Sequence, residues 1–243
     1  MKSLFHGVLT ILFAVSFSAA EAGTVIINND EWTLSNAGFA NAPDTGKFVT
    51  NMAALFSGGG TGSFHAYSTN FGFTESSLSA TLSGAGHTYT SGTGFAFTPA
   101  NISGFNALFL GGAYLSSTEI NTLINYVNSG GNVYLAGGAG VGGAATEAAA
   151  WNPFLNAFGM SFDSSYNGII GNIDVSGASH PIFSSVSALY QNSGSSISGT
   201  GMQVSQSGQG LYAVVPLPAS FLLLASGISF LGGMLARRRH RAA

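Results

Sequence analysis

The sequence predicts an α/β domain built on a mostly parallel sheet with helices on both faces and added β structure near its C-terminal edge. Three observations carry this. Residues 106–140, NALFLGGAYLSSTEINTLINYVNSGGNVYLAGGAG, contain two short apolar runs, each ended by paired glycines, with a helical pattern between them. The same alternation of short apolar run and helical spacing can be traced from residue 24 onward. Beyond Ser161 the chain turns to Ser, Gly and alternating patterns such as IIGNIDV and GLYAVV, which suit strands added at an edge.

In chain order, residues 24–28 (TVIIN) are expected as a first strand, residues 46–56 as a helix stopped by SGGGTG, and residues 63–67 as a second strand. A short helix over 75–82 and a strand near 87–90 follow. Residues 107–110 have no polar position, the mark of a strand buried on both faces. Ser116 and Glu119 form a capping box, and Ile120, Leu123, Ile124 and Val127 recur at helical spacing before Gly130 and Gly131 stop the helix. Residues 133–136 repeat the buried-strand pattern, closing a β-α-β unit that requires parallel strands. Residues 146–151 read as helical. Asn152-Pro153 reads as a cap and N1 proline that restart the helix, which Gly159 ends.

Composition narrows the chemistry. Between Gly23 and Val215 eight carboxylates face a single lysine, Lys47, a balance of −7. Nucleic acid is therefore not expected as a partner, because phosphate binding needs clustered Lys and Arg. The chain has no cysteine, which removes disulfides, thiolate catalysis and zinc–thiolate sites.

Both ends read as processing segments. Lys2, an apolar stretch and Ala20-Glu21-Ala22 give residues 1–22 the pattern of a secretory signal peptide, with cleavage expected after Ala22 and a competing cut after Ala20. The secreted α/β domain is placed at 23–213. Residues 214–243 hold Val215, Pro216 and Pro218, an uncharged apolar run over 221–236, and Arg237, Arg238, Arg239 and Arg241. The arginines would stay cytoplasmic, with the domain on the far side of the membrane. This tripartite tail resembles a PEP-CTERM sorting signal, although Leu217 stands where the name-giving motif has glutamate. The resemblance implies an exosortase-type processing enzyme as partner, transient or lasting membrane anchoring, and a cell-surface or extracellular destination among secreted polysaccharide. A plain C-terminal anchor, leaving a tethered scaffold, is the alternative.

The order β-α-β-α-β, with a glycine-ended strand feeding a helix, resembles the class I glutamine amidotransferase-like fold, within the broader flavodoxin-like architecture; HPIFSSVSALY at 180–190 resembles a loop of its divergent members. Catalytic members carry a cysteine in the strand-to-helix turn. The matching turn here, LAGGAGVGG at 135–143, offers only Leu, Ala, Gly and Val, so glutaminase chemistry is excluded. A loose G-x-G-x-x-G can be written onto that turn. It is read as close backbone packing, since no strand-end acidic residue follows at the required distance, and no cofactor is expected.

The densest polar cluster, NNDEW at 28–32, falls where the first strand should end, the edge at which open parallel sheets bind ligands. Asn29, Asp30 and Glu31, with His180 from the divergent loop, are therefore the candidate ligand rim, although Asn-Asn-Asp is also ordinary turn chemistry. No catalytic residue is assigned. His65, His87 and His180 match no metal-binding spacing, and no metal is expected. Phe71, Phe73, Phe95, Phe97 and Phe105 are read as core, with exposure as a sugar-stacking platform the alternative. The expectation is an exported, non-catalytic binding or structural component among exopolysaccharide; a secreted glycan or ester hydrolase using Asp30, Glu31 or a histidine is its rival.

Overall fold

The computed structural model describes residues 23–138 and 142–216. The signal-peptide segment, Pro218 and Arg237, Arg238 and Arg239 of the sorting pattern, and the middle of the glycine-rich turn lie outside the described residues. In chain order the first half comprises β1 (Thr24–Asn28), α1 (Asn36–Asn41), α2 (Thr45–Ser57), β2 (Ser63–Tyr67), α3 (Phe71–Thr74), α4 (Ser76–Gly84), β3 (Thr88–Ser91), α5 (Pro99–Ile102), β4 (Ala107–Leu110), α6 (Ser117–Asn128) and β5 (Asn132–Ala136). The second half holds α7 (Gly143–Leu155), β6 (Met160–Tyr166), β7 (Ile170–Asp174), β8 (Ala188–Asn192), β9 (Ser195–Gly199), β10 (Met202–Gln206) and β11 (Gln209–Pro216).

Nine strands form one sheet in the order β3-β2-β4-β5-β1-β11-β9-β6, with β10 also paired to β11. The ladders joining β3, β2, β4, β5 and β1 are all parallel, and every ladder from β11 onward is antiparallel. This is the expected α/β class. The strand order 3-2-4-5-1 matches the doubly wound order 2-1-3-4-5 if the chain's first strand fills the last place. The winding direction reverses between β2 and β4.

Period-two alternation sends successive side chains of the parallel strands to opposite faces, and both faces are covered. On one face Ile26, Phe64, Phe109 and Tyr134 pack against Phe48 and Met52 of α2 and Leu78 and Leu82 of α4. On the other, Val25, Ile27, Leu108, Val133 and Leu135 pack against Leu123 and Val127 of α6 and Trp151 and Phe154 of α7. The α6 capping box forms as expected: the Glu119 carboxylate accepts the Ser116 N–H at 2.8 Å, and Ser116 Oγ accepts the Glu119 N–H at 3.4 Å.

Three local expectations are corrected. Residues 143–155 form one continuous helix with Pro153 inside it, not two segments. Asn152 does not cap; its amide bonds both backbone groups of Phe162, accepting the N–H at 2.7 Å and donating to the carbonyl at 3.1 Å, which ties α7 to β6. The IIGNIDV segment leaves the main sheet altogether, since β7 pairs only with β8. GLYAVV forms part of β11, an interior strand, because β1 and β10 pair with it on opposite edges at Tyr212 and Ala213. Val214 and Val215 belong to that strand, and Pro216, at its exposed end, is the register partner of Thr24.

Candidate functional site

The parallel strands all end at one edge of the sheet, which gathers Asn29, Asp30 and Glu31 after β1, Ser68 and Asn70 after β2, Gly111 after β4, and Gly137 and Gly138 after β5. Glu147, from the second turn of α7, joins them: its Oε2 accepts the Gly138 N–H at 2.7 Å and the Ser195 hydroxyl at 3.0 Å. Three carboxylates thus share this edge, and Asp30, Glu31 and Glu147 are all buried.

Their roles differ. Asp30 is a turn former: one oxygen accepts the Trp32 N–H at 2.7 Å, and the other accepts the Asn192 N–H. Burial nevertheless outweighs these donors and lifts its carboxyl to about 6, with the Glu147 charge adding to the rise. Glu31 has fewer partners. Its carboxylate accepts the Asn70 side-chain amide, and burial, reinforced by the charges of Asp30 and Glu147, lifts it to about 7. Tyr166, 42% exposed, feels both Glu31 and Glu147, which raise its phenol in addition to burial. Burial also raises Tyr114, to about 12, with Glu147 and Tyr166 contributing. These two rings border the carboxylates.

The turn after β1 reaches across to the turn after β2. Besides the Asn70–Glu31 bond, the Trp32 and Phe71 rings meet edge-on at 4.8 Å. A Cβ on Gly72 would lie 2.3 Å from the Glu31 carbonyl. Since β5 and β4 separate β1 from β2, this contact spans the crevice where the winding reverses, the ligand position of open α/β sheets.

Asn28 and Asn29 are neighbours with opposite fates. Asn28 faces the α2 side and is fully engaged: its amide donates to the Asp30 carbonyl (2.6 Å) and the Tyr134 hydroxyl (2.9 Å), and its oxygen accepts from Asp30 N–H (3.2 Å) and Gln191 (3.3 Å). Asn29 has its backbone satisfied by Leu211 and Ser195, but its side chain, fully buried, has no hydrogen-bond partner for either amide atom among the described residues. An unpaired buried amide costs about 1–3 kcal/mol. Gly194 lies flat on Asn29: a Cβ there would fall 1.9 Å from its carbonyl oxygen and 2.9 Å from Nδ2.

The structure therefore brings Asn29, Asp30 and Glu31 together and leaves His180 elsewhere. His180 precedes the short 3-10 helix Pro181–Phe183, which packs on α2, and its Nδ1 accepts the Ile182 N–H at 3.4 Å. His65 is held between Phe95 and Phe105 at centroid distances of 4.8 and 5.0 Å, and His87 accepts the Gly62 N–H at 3.0 Å. Among the described residues no group of three His, Asp or Glu is arranged to hold a metal. Phe73 and Phe97 are core residues, while Phe95 and Phe105 are half-buried around His65. Comparison with protein-family models, curated proteins and solved structures finds no match to this chain. Sequence reasoning missed Glu147, Asn70 and Tyr166; each reaches the edge from a distant segment, and no local pattern marks it. No helix among the described residues is long and apolar enough to cross a membrane.

Proposed function

We propose that this chain is an exported, non-catalytic binding protein, delivered by its leader and sorted through its C-terminal segment by an exosortase-type enzyme, that engages exopolysaccharide at the cell surface or in the matrix. The observation that carries the binding half of this reading is Asn29: a buried amide without a partner among the described residues, set at the carboxyl edge of the parallel strands beside Asp30, Glu31 and Glu147. Carboxylates and an amide are the groups that accept and donate to sugar hydroxyls, and Tyr166 offers a partly exposed ring against which a pyranose can stack. The delivery half rests on the two terminal sequence patterns. The end of β11 suits it, since Pro216 is exposed and the sorting pattern continues directly from there.

Titration of the exported protein with the producing cell's own polysaccharide tests the binding half. Binding is expected for the natural sequence and is expected to weaken at least tenfold in Glu31→Gln and Tyr166→Ala; equal binding by all three would reject this edge as the site. Intact-mass measurement tests the delivery half, with loss of residues 1–22 and of the segment beyond Pro218 expected.

One observation favours a second reading. A carboxyl held near 7 beside another carboxylate is suited to general-acid chemistry, so Glu31 rather than the backbone-bound Asp30 would be the acid of a glycan hydrolase. Turnover of the same polysaccharide, abolished in Glu31→Gln, would replace binding by hydrolysis.

A further inference from the structure

We infer that cleavage between Ala22 and Gly23 creates a structural group: the new α-ammonium of Gly23 docks on the C-terminal end of α6, where the Val127 carbonyl receives it, and fastens β1 to the helix. The inference rests on the export reading above. Four features of the described residues support it.

The Gly23 nitrogen donates to Val127 O at 2.9 Å. Val127 is the penultimate residue of α6, so its carbonyl belongs to the last turn, at the negative end of the helix dipole; it also accepts the Gly130 N–H at 3.1 Å, which leaves a second lone pair for Gly23. The helix is charged asymmetrically: Glu119 occupies its first turn, and no basic residue stands in its last. A cation is the complement that this end lacks.

Position 23 also admits only glycine. A Cβ there would fall 1.8 Å from the Gly131 carbonyl oxygen, a backbone atom of the turn that follows α6. The residue after the cut is buried, and the next, Thr24, donates its N–H to Asn132 Oδ1 at 2.9 Å. The nitrogen is thus placed to within a hydrogen bond whether or not residue 22 precedes it. Cleavage changes its charge rather than its position. Cleavage after Ala20 would leave an amide at Gly23, with the ammonium two residues outside the contact.

The surroundings contain little that competes. Along α6 the only ionisable side chains are Glu119, at the opposite end, and Tyr126, whose phenol donates to Phe105 O and is pushed up by burial, out of the neutral range. Neither β5 nor β11 carries a charged residue. The C-terminal end of α2 approaches through the Asn132–Phe56 bond, and its one charge, Lys47, is at the other end. His87 precedes β3, four strands away in the sheet. A titration of the terminal amine is therefore readable in stability.

The test compares the exported protein with a variant carrying Ser-Ser inserted between Ala22 and Gly23, which keeps the leader and its cleavage site but begins two residues earlier. Intact mass first establishes the N-terminus. Melting temperatures are then recorded from pH 6.5 to 9.5, across the range in which an α-amine, ordinarily near 7.7–8.0, loses its proton. The natural protein is expected to begin at Gly23 and to lose about 2–4 °C over that range, a size set by helix-end charge interactions in a domain of this length, while the insertion variant changes by less than half as much. Equal pH dependence in two correctly cleaved proteins overturns the docking and leaves export standing. A mature chain that retains residues 1–22, or begins at Glu21, overturns the inference, and in the former case the export reading falls with it.

Discussion

The side-chain amide of Asn70 donates to the carboxylate of Glu31, joining the turn after β1 to the turn after β2 across the two strands between them. This contact makes the edge a closed polar assembly rather than a row of separate turns, and its ionisation should be visible in the stability of the whole domain.

Glu31 and Asp30 are both raised by burial, from ordinary values of 4.5 and 3.8 to about 7 and about 6. Between the unfolded and folded values the native state binds more protons than the unfolded state. Stability therefore falls as pH rises from about 4 to about 7 and levels off above that. Thermal melts in this window should show a maximum on the acid side. Glu31→Gln should flatten the part between pH 4.5 and 7 and stabilise the protein at pH 7.5 by on the order of 1–2 kcal/mol, after allowance for solvent screening. A melt that rises steadily from pH 4.5 to 7 would contradict the buried, proton-retaining carboxyl.

The contrast between Asn28 and Asn29 gives a paired substitution. Asn28→Leu removes partners from Tyr134, Asp30 and Gln191 and should cost about 1–3 kcal/mol. Asn29→Leu removes an amide that has no partner among the described residues and should be neutral or stabilising. Chemical denaturation of both variants decides the matter, and a larger loss for Asn29→Leu would mean that its amide is satisfied in the native protein.

Glycine substitutions separate close packing from helix propensity. Gly194→Ala drives a Cβ to within 1.9 Å of the Asn29 carbonyl and should destabilise by more than about 2 kcal/mol while disturbing the rim. Gly84→Ala, at the end of α4 with open space around its Cβ, should stabilise by about 0.5–1 kcal/mol. Urea midpoints for the two variants should move in opposite directions.

Asn152 supplies both bonds that hold Phe162 of β6 to α7. Asn152→Ala should therefore cost about 1–3 kcal/mol, and hydrogen exchange at the Phe162 amide should accelerate with it. Unchanged protection at Phe162 would show that the strand holds without the helix.

The parts of this fold legible in the sequence are those fixed by near neighbours. β1, β2 and β4 fall where apolar runs bounded by glycine place them, and the α6 cap is written in Ser116 and Glu119. What local pattern cannot carry is partnership at long range. Asn152-Pro153 has the signature of a helix start, but packing of Trp151 and Phe154 on the sheet holds the helix through the proline, and the Asn152 amide goes to Phe162 instead. GLYAVV reads as an edge addition because alternation does not reveal how many strands lie beyond it. At the edge itself, residues 29–31 are marked by their own density of polar groups, whereas Glu147 sits in an alanine-rich helix and is tied to the edge by residues distant in sequence, Gly138 and Ser195 among them.

The pairing of Thr24 with Pro216 has a mechanical consequence. Tension entering through the residues beyond Pro216 runs along β11, whose ladders to β1 and then β9 on one edge and to β10 on the other bear it together. Those bonds resist in shear, so a pull on this last described strand succeeds only when several rungs fail at once.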